Sequence, residues 1–229
     1  MSLKLSDIEL LWANDDIVKI RLAEKGFNSD EILRNINHSD RVTHVYEGGF
    51  KIWECCFDLC RLINNEPSLV RGKRVLELGC GAGLPGILCA LQGADQITLH
   101  DYNDYVVQCF TQENLELNGI QKSKYCLKSG PWSDYRAALK ASKSIFSYDL
   151  IITSETIYNT DDYSSLHDAI VYALSLTGIV LVAAKCSYFG VGGTVPEFVD
   201  FVKNKGIFKI STKHYVPSDI PRVILEMSR

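Results

Sequence analysis

The sequence has no Cys-x-x-Cys pair. Its eight cysteines are scattered, mostly in apolar segments, and only Cys56 and Cys60 share a face of an expected helix at i, i+4. Zinc centres draw on paired ligand spacing, so no metal site is expected, and the thiols read as reduced and mostly buried. No uninterrupted apolar run is long enough to span a bilayer. The opening residues Met1-Ser-Leu-Lys-Leu-Ser-Asp-Ile-Glu9 lack a basic stretch followed by an apolar core, so a secretory signal is not expected there. These absences point to the cytosol or the nucleus, the nucleolus included. A basic tail is missing too, and the net charge is −4. Broad attraction to nucleic acid needs clustered Lys and Arg, so direct nucleic-acid binding is not expected. Repeats, low-complexity stretches, a Walker loop and a Gly-x-Ser-x-Gly elbow are all absent.

What remains is an ordinary globular composition over 229 residues, with 46% hydrophobic and 23% charged residues. Residues 1–45 are polar, with helical periodicity around Ile8–Leu11 and Ile17–Ile20, and are expected to form an N-terminal helical arm. Residues 46–229 are expected to form one domain. Phe50, Trp53, Phe57 and Leu59 have helix-like spacing, and Pro67 ends that segment. Strands are expected at 74–79, 96–101, 125–128, 148–153 and 179–184, with helices between them. A helix at 195–203 and two strands at 208–215 and 223–227, read as an antiparallel pair, close the chain. Alternating strands and helices imply a parallel α/β sheet covered on both faces. Ligands of such sheets sit at the carboxyl ends of the strands, near the point where strand order reverses.

A glycine loop falls at the end of the first of these strands: Gly79-Cys-Gly-Ala-Gly-Leu-Pro-Gly86. Gly81, Gly83 and Gly86 fit the dinucleotide fingerprint Gly-x-Gly-x-x-Gly. Glu77, Gly79, Gly81 and Gly83 equally fit Glu-x-Gly-x-Gly-x-Gly, which suits S-adenosylmethionine. That molecule carries an ammonium and no pyrophosphate, so a carboxylate at the strand end favours it. Asp101, ending the second strand, offers the ribose an acid in either reading. Asn103 and Ser154, near the ends of the second and fourth strands, are counted as further cofactor contacts. Trp132, in Ser129-Gly-Pro-Trp132, is placed to cover the adenine by stacking, and Trp53 to close over the cofactor. Each tryptophan has a plainer reading as a packing anchor.

Val75-Leu-Glu-Leu-Gly-Cys-Gly-Ala-Gly-Leu-Pro-Gly86 resembles the first motif of the methyltransferase-like protein methyltransferases. Ser154-Glu-Thr-Ile-Tyr158 resembles their acid-x-x-Tyr motif, with Glu155 where many members carry Asp. Three stretches, Val45–Glu54, Thr153–Asn159 and Ser187–Gly193, resemble the histidine protein methyltransferases, enzymes that modify a histidine of a large-subunit ribosomal protein. The resemblance implies a Rossmann-like, seven-stranded methyltransferase sheet, S-adenosyl-L-methionine as cofactor, a protein substrate and a monomer. Glu155, Tyr158 and Asn159 are then expected to be catalytic, Glu155 facing the substrate or holding the loop and Tyr158 lining the acceptor pocket. The plainer reading of Glu155 is a structural carboxylate that accepts backbone N–H groups near the following helix. Tyr188 and Phe189 are candidate contacts to the substrate chain. A lysine methyltransferase of the same fold, an NAD-dependent oxidoreductase and a non-catalytic partner remain as alternatives.

Overall fold

The computed structural model describes residues 1–27, 29 and 41–229. Residues 28 and 30–40 of the expected N-terminal arm lie outside the described residues. The rest of the arm begins as a strand pair: β1 (Ser2–Leu5) and β2 (Ile8–Leu11) form an antiparallel hairpin, where a helix was expected over Ile8–Leu11. The reason is burial at alternate positions. Leu5 and Leu10 are buried and Leu3 and Ile8 pack against the same core, a period of two, while Leu11 stays exposed. Helix α1 (Asp15–Glu24) follows, its first turn capped by Asn14, whose Oδ1 accepts the Ile17 N–H at 3.0 Å. The arm joins the main core through Leu5, Leu10, Trp12, Val18 and Leu22.

Helix α2 (Glu54–Asn65) starts four residues later than the apolar spacing suggested, so Phe50 and Trp53 precede it. The remaining elements are β3 (Arg74–Leu78), α3 (Leu84–Leu91), β4 (Gln96–Asp101), α4 (104–117), β5 (Tyr125–Ser129), α5 (Trp132–Ala141), β6 (Tyr148–Ser154), α6 (Tyr163–Ala173), β7 (Leu174–Lys185), α7 (Val195–Lys205), β8 (Lys209–Val216) and β9 (Arg222–Ser228). Among them α4 contains a π-helical turn at Val107–Thr111. That turn faces the glycine loop: Thr111 Oγ1 donates to Gly81 O at 2.6 Å, and Asn114 Nδ2 donates to Ala82 O at 2.9 Å. Asn114 Oδ1 also accepts the Ala13 N–H at 2.8 Å, so one side chain ties the N-terminal segment to the loop.

The seven strands β3–β9 lie in the order β5-β4-β3-β6-β7-β9-β8. β3–β7 are parallel, and β9 runs antiparallel between β7 and β8. The expected terminal antiparallel pair is present. β7 extends back to Leu174 because Leu174 pairs with Tyr148 across a register shift. Strands buried on both faces read as continuous apolar runs, which is why β3 and β6 were legible. Alternation divides the core. Val75, Leu150, Ile152 and Leu181 face α2 and α3. Leu76, Leu78, Ile151 and Val180 face α5, α6 and α7. Successive connections leave β3 in opposite directions, so the strand order reverses between β3 and β6. Among the described residues no helix is long and apolar enough to cross a membrane.

Candidate active site

A cavity of ≈ 310 Å³ opens at the carboxyl ends of β3, β4 and β6, at the strand-order reversal. Its floor is the glycine loop. Gly79, Gly81 and Gly83 have φ of 67°, 49° and 72°, a region that L side chains rarely adopt. Gly81 has a second requirement: a Cβ there would lie 2.9 Å from Gly49 O. Asp101 closes one side. Its Oδ2 accepts the Gly81 N–H at 2.8 Å and its Oδ1 accepts the Asn103 N–H at 3.3 Å. Burial pushes the Asp101 carboxyl up to about 6, against the pull of these N–H groups.

Eight of the sequence-predicted residues line this cavity: Trp53, Gly79, Gly81, Asp101, Trp132, Ser154, Glu155 and Tyr158. Trp53 sits at its edge, with Nε1 donating to Gly48 O at 3.3 Å and Lys51 Nζ 4.6 Å from the ring centroid. Trp132 opens α5 and also packs against the second core.

Four expected residues lie outside the lining, each for a local reason. Glu77 shares the strand face of Val75, toward α3, and its Oε2 accepts the Gly86 N–H at 2.8 Å. It therefore holds the start of α3 rather than facing the cavity, and burial pushes it up to about 8. Gly83 caps α3. Asn103 accepts the Glu47 N–H at 3.2 Å and donates to Val45 O at 2.8 Å, which pins the 42–49 segment over the site. Asn159 accepts the Asp161 N–H at 3.2 Å and donates to Asp162 at 3.0 Å, shaping the turn before α6.

Glu155 has φ of 57°, unusual for a non-glycine residue. Its backbone N–H donates to Ala183 O at 2.9 Å. Its Oε1 accepts the Cys55 N–H at 3.4 Å, and Lys185 Nζ lies 3.7 Å away. The carboxylate thus meets the start of α2, not of the helix that follows it in sequence. Tyr158 donates its hydroxyl to Glu47 and lies under the Arg41 guanidinium, 4.4 Å from the ring centroid. Burial, then the Glu47 carboxylate, hold its hydroxyl well above the usual tyrosine range. His44, one of the two histidines nearest the site in sequence, lines the cavity, and so does Glu47, which was not singled out from the sequence. Glu47 stands beside Gly48-Gly49 in the same unusual stretch as Trp53, which was the available signal.

The Ser187–Gly193 loop returns over this rim. Gly193 N–H donates to Tyr158 O at 2.8 Å, and a Cβ at Gly193 would lie 2.2 Å from Ile157 O. Tyr188 meets Tyr158 edge-on at 6.3 Å, and Phe189 is 82% exposed.

Residues 40–190 match the family model described as lysine methyltransferase. The chain is 37% identical to the mouse histidine protein methyltransferase 1 homolog, over 94% of this chain and 67% of that protein. It is 40% identical to the rat homolog over 93% of this chain and 66% of the relative, and 38% identical to the Dictyostelium discoideum homolog over 82% and 59%. The chain belongs to the histidine protein methyltransferase family. It spans about two thirds of the length of the mammalian relatives. The family is S-adenosylmethionine-dependent, and this favours the methyltransferase reading of the glycine loop over the dinucleotide one. Among solved structures, a ribosomal protein L11 methylase from Lactobacillus delbrueckii subsp. bulgaricus aligns with a TM-score of 0.57 at 17% identity, over 80% of this chain and 83% of that one. The [4+2]-cyclase SpnF aligns with a TM-score of 0.59 at 15% identity, over 74% and 79%. A methylase and a cyclase share this architecture, so the likeness speaks to fold alone.

The cavity suits S-adenosylmethionine by its chemistry. The loop has backbone where side chains would block close approach, Asp101 offers acceptors for hydroxyls, and Trp53 and Trp132 offer aromatic surface.

Proposed function

We propose that the protein methylates a histidine side chain of a large-subunit ribosomal protein. Bound S-adenosylmethionine supplies a methyl group already activated by its sulfonium. The chain's own task is to hold donor and acceptor in line and to present a neutral nitrogen lone pair. An imidazole is mostly neutral near pH 7 and has such a lone pair without a strong base. In this reading Trp53, Gly79, Gly81, Asp101, Trp132 and Ser154 hold the cofactor, Asn103 supports Asp101, and Glu155 and Tyr158 form the acceptor side.

The observation that carries the proposal is the meeting, in one cavity, of the glycine loop with the Glu47–Tyr158–Glu155 wall, in a chain of this family. The test is transfer of labelled methyl from S-adenosylmethionine to a ribosomal-protein preparation, followed by acid hydrolysis and amino-acid analysis. Methylhistidine in a large-subunit protein is the expected product. The description of the matched family model favours one second reading, a lysine acceptor, and methyllysine in the hydrolysate would establish it instead. A protein acceptor, a monomer and residence in the cytosol or nucleus belong to the same proposal.

A further inference from the structure

We propose that Glu47 is the catalytic carboxylate that accepts the ring N–H of the target imidazole and so keeps the other ring nitrogen, with its lone pair, toward the methyl donor. The inference rests on the histidine reading above.

Two glutamates line the cavity near Tyr158: Glu47 and Glu155. Glu155 is engaged elsewhere. Its carboxylate takes the Cys55 N–H and faces Lys185, and only 5% of its side-chain surface is exposed. Glu47 is fixed differently. One oxygen accepts the His44 N–H, in a tight turn where His44 has φ of 59°. The other accepts the Tyr158 hydroxyl and lies 3.6 Å from Arg41. The turn is itself anchored to the end of β4, because the Tyr102 hydroxyl donates to His44 O at 2.9 Å and Asn103 holds Glu47 N and Val45 O. An ionised carboxylate has about four acceptor directions. Three are faced by the His44 N–H, Tyr158 and Arg41, and the His44 ring Nδ1 lies 3.9 Å from the first oxygen, beyond hydrogen-bond reach, which leaves acceptor capacity on a side chain that lines the cavity.

A carboxylate can only accept. It therefore binds the ring nitrogen that carries the proton and leaves the other, with its lone pair, toward the methyl donor. On transfer the N–CH3 bond forms from that lone pair. The S–CH3 bond breaks, and its electron pair stays on sulfur, which becomes a neutral thioether. The ring becomes an N-methylimidazolium, and the proton held at Glu47 passes to the carboxylate or to water, leaving neutral N-methylimidazole. Tautomer selection thus keeps the nitrogen that faces the donor nucleophilic.

Glu47→Gln tests this, because an amide both accepts and donates. It can hold either tautomer, but the one it donates to turns an N–H toward the methyl donor and cannot react. The probe is the same ribosomal-protein preparation, with the single-turnover rate of methylhistidine formation and S-adenosylhomocysteine binding measured on each variant. Glu47→Gln should bind S-adenosylhomocysteine like the wild type and turn over about a hundredfold more slowly. Glu47→Asp keeps the charge on a shorter arm and should recover part of the lost rate. Wild-type turnover in Glu47→Gln, or equal losses in Glu47→Gln and Glu47→Asp, would overturn the assignment. Transfer by the wild type to lysine, with S-adenosylhomocysteine still bound, would instead remove the histidine reading.

Discussion

Gly81 and Gly49 meet backbone to backbone: a Cβ on Gly81 would stand 2.9 Å from Gly49 O. One glycine belongs to the loop after β3 and the other to the segment that crosses the cavity before α2. Their contact sets how closely the segment before α2 approaches the glycine loop. Gly81 also gives its N–H to Asp101 at 2.8 Å. Gly81→Ala adds the Cβ at a φ of 49° and must move one wall or the other. Its affinity for S-adenosylhomocysteine should fall by about tenfold or more, equivalent to about 1.4 kcal/mol. Calorimetric titration measures this, and wild-type affinity in the variant would show that the two segments can separate freely.

Glu77 gives the protein a pH signature. Its carboxyl is held near 8 by burial, above the ordinary carboxylate range that it would have unfolded. Between these values the folded state binds more protons than the unfolded state, so stability falls as pH rises toward and through 8. His100, buried and pushed down to about 4, and His167, also lowered by burial, have the opposite sign and act up through the ordinary histidine value of 6.5. Asp101, near 6, finishes titrating early in the window. The stretch from about pH 7 to 8 is therefore mainly the Glu77 window. The melting temperature of the free protein should decline across it, and Glu77→Gln should flatten the decline. Equal slopes in both proteins would place the titration elsewhere.

Much of the fold was legible because both faces of the sheet are covered. Val75–Leu78 and Leu150–Ile152 are unbroken apolar runs except at Glu77, and Asp, Gly or Ser punctuates their ends. The hairpin was not legible. Four residues at Ile8–Leu11 satisfy the i, i+3 spacing of a helix as well as the alternation of a strand, and only packing against the core decides. The glycine loop, Asp101 and the two tryptophans were found because each lies next to a strand end. Glu47 was missed because its partner Tyr158 is 111 residues away, and only folding brings them together. The placement of Glu77 follows from parity. It lies two residues after Val75, on the face toward α3, so its carboxylate meets Gly86.

Glu155 pits backbone against side chain. Its φ of 57° disfavours every residue but glycine, and its carboxylate takes the Cys55 N–H. Removing the side chain loses that acceptor in either variant, but only glycine also relieves the backbone. Glu155→Gly should therefore be more stable than Glu155→Ala by about 1 kcal/mol, the reverse of their usual order. Denaturant midpoints compare them directly. An alanine variant as stable as the glycine one would mean that the backbone relaxes when the carboxylate is lost.

Phe189 is the most exposed aromatic feature of the rim. It sits on a loop that Gly193 fastens to Tyr158 by a 2.8 Å hydrogen bond. The fastening is tight, since a Cβ at Gly193 would lie 2.2 Å from Ile157 O. The ring is thus displayed beside the acceptor wall on an anchored support. An exposed aromatic at such a place suits a protein substrate, because aromatic anchors carry a large share of interface energy. Phe189→Ser should lower kcat/KM for the proposed ribosomal-protein substrate by about tenfold, mainly through KM, since it removes binding made equally in ground and transition states. Affinity for S-adenosylhomocysteine should not change, because Phe189 is not part of the cavity lining. A fall in kcat alone would mean that the loop acts on the acceptor wall through Tyr158, and Gly193→Ala, which forces the loop off Tyr158, should then reproduce it.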